Sequence, residues 1–148
     1  IQYPGDWNVT RPAANLAMFS GKQGTDAFQA IVMIENVRPA GAKTPGEAAQ
    51  AALADLKATL TEQAGDFAVI GEQALTYKNG RLSLPGRRID MTYTYAGKRY
   101  RKWVLVVPRP VAAVAHIWSY TAPEAQFVAF RPFAEAMLKS WTIRPGSG

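Results

Sequence analysis

Apolar positions along this chain recur with two periods, and the change from one to the other divides it into elements. Residues 7–11 (Trp7-Asn8-Val9-Thr10-Arg11) and 16–20 (Leu16-Ala17-Met18-Phe19-Ser20) read as short strands. Pro12, with no amide hydrogen for a ladder, is expected to stop the first. Gly21-Lys22-Gln23-Gly24 is a turn signal. Residues 28–37 are rich in β-branched side chains and almost continuously apolar, as expected of a central strand covered on both faces.

The period then becomes helical. Thr44-Pro45-Gly46-Glu47 has capping-box spacing, with Thr44 at the N-cap, proline in the first turn and Glu47 three residues after the cap. Leu53, Leu56 and Leu60 follow at helical spacing with Ala49 and Ala52 behind them, and Gly65 sits where a left-handed cap would close the helix. A helix over residues 45–64 is predicted.

Beyond it the period returns to two. Residues 67–77 read as a strand ending in the hairpin dipeptide Asn79-Gly80. Residues 87–95 place Ile89, Met91, Tyr93 and Tyr95 on one face and Arg88, Asp90, Thr92 and Thr94 on the other. Ala96-Gly97 turns the chain, residues 98–107 return, and Pro108-Arg109-Pro110 ends that strand. Residues 111–121 make another strand. Pro123 opens a second helix to about Ser140, with Phe127, Phe130, Ala134, Met137, Leu138 and Trp141 as its apolar stripe and Pro132 expected to kink or split it. Runs of strands separated by two helices indicate an α+β fold around a mostly antiparallel sheet.

If Ala96-Gly97 is a two-residue loop, Tyr95 pairs with Lys98, Tyr93 with Tyr100, Met91 with Lys102 and Ile89 with Val104. On the opposite face Thr94 meets Arg99, Thr92 meets Arg101 and Asp90 meets Trp103. Cations then appear on both faces near the turn, and apolar residues take over away from it.

Charge sharpens this picture. The 148 residues carry a net charge of +6. Residues 78–109 hold nine cations (Lys78, Arg81, Arg87, Arg88, Lys98, Arg99, Arg101, Lys102, Arg109) and one carboxylate, Asp90, so the rest of the chain is slightly acidic. Such a strip can attract an acidic protein patch, an anionic lipid surface or nucleic acid, or can simply keep strand edges from aggregating. Arg87, Lys98, Arg99, Tyr100, Arg101 and Lys102 are the candidate partner-binding residues. The aromatics among them, with Trp103, also suit stacking on single-stranded nucleic acid, although the Gly97-Lys98-Arg99-Tyr100-Arg101 order does not match an RNA-recognition motif.

Catalytic chemistry finds little here. Cysteine is absent, which excludes disulfides, thiolate metal sites and thiol nucleophiles, and one histidine excludes constellations needing two. His116 lies mid-strand beside Trp118 and reads as a satisfied core histidine. There is no Gly-x-Ser-x-Gly elbow or Walker loop, and the aspartates are scattered, with Asp90 placed to neutralise neighbouring arginines. No enzyme activity, cofactor or metal is expected. A small-ligand carrier with a pocket lined by Trp118 and Phe127 is a further alternative. The apolar run 103–107 is far too short to cross a bilayer.

The opening Tyr3-Pro4-Gly5-Asp6-Trp7 resembles the start of PsbP/Mog1-like domains, whose bacterial branch includes the DcrB-like (DUF1795) proteins. The helix after the third strand, the return strand with Gly97-Lys98-Arg99-Tyr100, the strand ending Tyr120-Thr121-Ala122 and the closing Phe127, Phe133 and Met137-Leu138-Lys139-Ser140-Trp141 are similar in order and spacing. The resemblance implies an α/β/α sandwich with a central antiparallel sheet, spanning residues 1–143 as one domain with 144–148 as a tail or linker. It also implies a binding or assembly role without a catalytic triad. The shared positions are packing positions, so no functional residue carries over, and the basic hairpin lies outside the shared pattern. Together these features predict a non-enzymatic binding domain of the bacterial cell envelope or periplasm that meets a protein or anionic membrane-surface partner. The chain starts at Ile1 rather than Met, so the expectation includes a membrane anchor in a missing N-terminal segment.

Overall fold

The computed structural model describes residues 1–110 and 112–143; the expected tail at 144–148 lies outside them. Seven strands form one antiparallel sheet: β1 (Asn8–Ala13), β2 (Leu16–Ser20), β3 (Ile31–Val37), β4 (Ala68–Asn79), β5 (Leu82–Tyr95), β6 (Lys98–Pro108) and β7 (Ala115–Pro123), in the order β1-β2-β3-β7-β6-β5-β4. Helix α1 (Pro45–Gln63) covers one face and α2 (Glu124–Ser140) the other. The fold is the expected α+β sandwich.

The pleat sorts the core into two layers. On the α2 face, Trp7, Phe19, Trp103, Trp118 and Tyr120 pack with Phe127 of the helix into a large, aromatic-rich cluster. Beneath α1, Ala48, Ala52 and Leu60 meet Ile89, Met91, Val104 and Val106. The buried positions of α1 are Ala48, Ala52 and Leu60, whereas α2 buries Phe127 and Met137 beside Ala134. Removing such surface from water is the main stabilising term, at roughly 1.5–3 kcal/mol for each large apolar side chain.

Local chemistry explains the start of α1. Thr44 Oγ1 accepts from the Glu47 amide at 3.1 Å, and Glu47 Oε2 accepts from the Lys43 amide at 2.7 Å, one residue earlier than the usual box. The end differs from expectation: Ala64 is the cap in an extended conformation (φ −139°), and Gly65 makes no left-handed turn. Pro132 does not split α2, which runs unbroken from Glu124 to Ser140. It lies on the exposed side, as does Val128, whose carbonyl loses its amide partner there.

Other boundaries shift for identifiable reasons. Pro12 does not end β1 but sits inside it, next to a register irregularity on an edge strand, where a missing ladder donor costs little. Residues 26–29, partly expected as strand, form a 3-10 turn whose Phe28 amide donates to Thr25 O at 3.1 Å. Gly21 closes that turn so tightly that a Cβ there would lie 2.3 Å from Ala27 Cβ. The β4–β5 loop is Gly80-Arg81, one residue later than expected, because Asn79 pairs with Leu82 and Gly80 takes the positive φ of 59°. Strand β5 consequently reaches back to Leu82. Strand β7 begins at Ala115: of the earlier start expected from the sequence, residue 111 lies outside the described residues and 112–114 are not strand, Ala112 taking φ 77° and the Arg109 amide donating to Val114 O.

The β5–β6 hairpin has the predicted register at every pair from Ile89↔Val104 to Tyr95↔Lys98. Ala96 (φ 51°) and Gly97 (φ 76°) are both left-handed, the turn whose twist suits a two-residue hairpin. At Ala96 this conformation costs about 1 kcal/mol.

Candidate functional site

The tip of this ribbon extends beyond its neighbours. Pairing with β4 begins at Ala68↔Thr92 and pairing with β7 ends at Tyr100↔Pro123, leaving residues 93–99 past both. Tyr95 is 57% exposed there. The cations at the two ends of β5, Lys78 and Arg81 at one and Lys98 and Arg99 at the other, are separated by the length of a 14-residue strand, roughly 45 Å. The sequence run of positive charge is therefore not one surface.

The pleat divides the six candidate residues further. Arg99 and Arg101 share the α2 face with Trp103 and Leu105, whereas Lys98, Tyr100 and Lys102 share the α1 face with Val104 and Val106. Arg99 is braced from both sides: its Nε forms an ion pair with Glu124 Oε2 at 2.6 Å, and its remaining nitrogens donate to Asp66 Oδ2 (3.4 Å) and Thr92 Oγ1 (3.2 Å). Asp66 also accepts from the Thr94 amide and hydroxyl at 2.8 and 2.6 Å. The Thr94 hydroxyl, then its amide, holds the Asp66 carboxyl below its ordinary range. Arg101 lays its guanidinium 4.6 Å from the Phe127 ring centre.

On the α1 face Lys98 Nζ donates to Gln29 Oε1, and Tyr100 stacks on Tyr93 with ring centres 5.7 Å apart. Lys102 donates to Thr121 Oγ1 at 3.2 Å and lines a small cavity of about 70 Å³ with Met33, Glu35, Leu56 and Ser119. Burial pulls its ammonium down to about 8, against the opposing pull of Glu35. Arg87, back along β5, forms a two-armed pair with Glu72 at 3.0–3.1 Å, and Glu72 also takes Lys57 at 3.1 Å. Lys57, then Arg87, holds Glu72 below its ordinary range.

A second group of cations gathers beside Asp90. Arg88 and Arg101 each approach Asp90 Oδ2 at 4.0 Å, as the sequence implied for this carboxylate. Arg88 lies 4.1 Å above the centre of the Trp103 ring, and Arg131 from α2 lies 5.7 Å from it while pairing with Glu135 at 2.9 Å. Arg88 Nε, Arg101 Nε, Asp90 Oδ1 and Trp103 Nε1 are buried without hydrogen-bond partners. Sequence reasoning missed Arg131, Glu124, Asp66 and Glu72 as members of this neighbourhood. Only the position of Arg131 beside the apolar stripe of α2 hinted that it faces the sheet.

Other candidates resolve simply. Trp103 is 4% exposed beneath Arg88, so its ring is not a face on which bases stack. Trp118 and Phe127 are solid core, and the openings lie elsewhere: about 310 Å³ between α1 and the β4–β6 end of the sheet, and about 460 Å³ between α1 and β3. His116 is buried, with Nδ1 2.6 Å from Asn36 Oδ1 and Nε2 accepting from Arg109 Nε at 3.4 Å. Desolvation, then the Arg109 charge, pulls it down to about 4, so it is neutral at physiological pH. Among the described residues no group of three or more potential metal ligands comes together, and no helix is long and apolar enough to cross a membrane.

No known family pattern matches the chain, and no curated protein matches it. Solved structures do. Cyanobacterial PsbP (CyanoP) from Synechocystis sp. PCC 6803 superposes with a TM-score of 0.65 at 10% identity, covering 96% of this chain and 84% of its own. LpqN of Mycobacterium tuberculosis, described as involved in cell envelope biogenesis, gives 0.61 at 14% identity, covering 95% and 79%. The Saccharomyces cerevisiae Ran-binding protein Mog1p gives 0.58 at 12% identity, covering 93% and 82%. The chain has the PsbP/Mog1-like fold that its sequence resembles.

Proposed function

We propose that residues 1–143 form a single non-enzymatic binding or assembly domain of the bacterial cell envelope, of the DcrB-like kind, that contacts an anionic protein or membrane surface through the β5–β6 ribbon. The observation that carries this reading is the ribbon tip, which extends past both flanking strands with Tyr95 exposed beside Lys98 and Arg99. An aromatic ring next to cations on a projecting turn is suited to a charged, partly apolar surface. LpqN, with the same fold, supports the envelope setting, and Mog1p supports a protein partner. The six candidate residues take unequal parts. Lys98, Arg99 and Tyr100 lie at or near the tip, and Arg101 flanks it. Arg87 is engaged with Glu72, and Lys102 faces the cavity beside α1.

Retention on phosphatidylglycerol vesicles and on immobilised acidic protein, at rising salt, tests this. Binding to one of them at low salt is expected, weakening as the ionic strength rises and lost in Lys98→Glu. Retention by neither at low salt overturns the proposal.

A further inference from the structure

The Arg88–Asp90–Arg101 cluster is electrostatically incomplete. Two guanidinium groups, each about a quarter exposed (26% and 28%), flank one carboxylate oxygen at 4.0 Å, too far for a hydrogen bond on either side. Three donors (Arg88 Nε, Arg101 Nε, Trp103 Nε1) and one acceptor (Asp90 Oδ1) are left without partners at the same place. Partly buried charges in this condition are costly. Access exists at the Arg88–Asp90 side of the cluster: a cavity of about 160 Å³, lined by Gly71, Glu72, Gln73, Arg88 and Asp90, opens there, the Glu72 carboxylate is already paired with Lys57 and Arg87, and Gly71, paired with Asp90 across the strands, puts no side chain over it. That is room for about five waters.

The unmet groups specify the chemistry of a ligand. It must bring several acceptors for two guanidinium forks, which a tetrahedral oxyanion does. It must also bring one donor for Asp90, whose charge repels a fully deprotonated anion. We propose that this cluster is a binding site for a phosphate group that keeps one P–OH proton, held as free phosphate or as a phosphomonoester headgroup. Its oxygens fill the gaps between Asp90 and the heads of Arg88 and Arg101, and its hydroxyl donates to Asp90. Small rotations of the two side chains bring their Nε–H groups to the same anion. Arg131 lies beside the same indole, but its guanidinium is already paired with Glu135. The inference deepens the reading of an anionic partner by naming the group recognised, and it places that group about halfway down the ribbon, away from the tip.

Titration by NMR of the intact protein, following the Trp103 indole N–H, tests the site with inorganic phosphate and with sulfate. Trp103→Phe identifies the resonance. Phosphate is expected to shift it saturably, with sulfate at least about ten-fold weaker, the loss that follows when one charged hydrogen bond becomes a repulsion. With glycerol phosphate, binding at pH 5.5 is expected to exceed binding at pH 8, because the second proton of a monoester leaves near pH 6. Arg88→Gln and Arg101→Gln weaken both anions, whereas Asp90→Asn brings sulfate up to the affinity of phosphate, a change that a purely structural role would not produce. Equal binding of the two anions by the wild-type protein, or no shift of the Trp103 signal, overturns the inference. Vesicles of phosphatidic acid against phosphatidylglycerol separate a lipid monoester from free phosphate as the natural source. Vesicle or protein retention that depends on Lys98 without this titration sustains the ribbon reading alone. The titration without retention sustains the phosphate site alone.

Discussion

The two faces of the β5–β6 ribbon carry cations three residues apart in sequence or closer, yet handle them in opposite ways. On the α2 face, arginines rest on aromatic rings and share carboxylates: Arg99 with Asp66 and Glu124, Arg88 and Arg101 with Asp90. On the α1 face, Lys102 has a hydroxyl partner and a distant carboxylate, and its ammonium is pulled down to about 8 by burial. The difference follows from the side chains themselves. A guanidinium keeps its charge, spreads it over a planar fork and stacks on rings, whereas a buried ammonium responds by losing its proton more easily. A run of positive charge in a β-ribbon therefore describes two environments.

Three substitutions sharpen or break this contrast. The largest effect is expected on the α2 face. Asp90→Asn leaves two guanidinium groups, each about a quarter exposed, without their shared carboxylate and should destabilise the fold by about 2 kcal/mol, below the 3–5 of a fully buried pair because the groups are partly exposed; urea denaturation measures it. An unchanged midpoint would show that water already neutralises the arginines.

On the other face the sign reverses. Lys102→Met removes a desolvated charge and should stabilise the protein by about 1 kcal/mol at pH 7. The folded-state value of Lys102, about 8, lies below its ordinary 10.5. Between those values the unfolded chain holds more protons, so stability rises with pH across the window and is lowest below pH 8. Tyr93 and Tyr120 are raised by burial and oppose this above pH 10. The rise should therefore appear between pH 8 and 9.5 in the wild type and vanish in the variant. A flat wild-type profile would place Lys102 in water.

The smallest effect is expected from Arg99→Ala. Its pairs are about half exposed, so stability should fall by only about 0.5 kcal/mol, and the loss should shrink in high salt. A loss above about 2 kcal/mol would make the tip a structural clamp.

The sequence foretold the ribbon pair by pair, because a two-residue loop and a strict alternation leave one register that buries Ile89, Met91 and Val104. It also foretold the start of α1, where Thr44 and Glu47 cap amides within the same few residues. It misplaced the β4–β5 turn by one residue, since Asn79 and Gly80 can each begin a turn and only the pairing across the strands decides. It read Phe28 as strand because an apolar run hides the 3-10 turn that Gly21 and Ala27 close by contact. The resemblance carried the architecture but no site. Of the candidate site it supplied the cations and not their partners: Asp66 lies 33 residues from Arg99, and Gln29 lies 69 from Lys98.

Sequence alone thus determined what is local here: the periods, the caps, the tight hairpin and the alternation that puts Arg99 and Arg101 opposite Lys98 and Lys102. These depend on backbone sterics and hydrogen bonds within a turn or across a short loop. Only the tertiary structure decided which carboxylate meets which cation, and which side chain loses its water. Coulomb and desolvation energies depend on through-space distance, which the sheet order and the packing of α1 and α2 set.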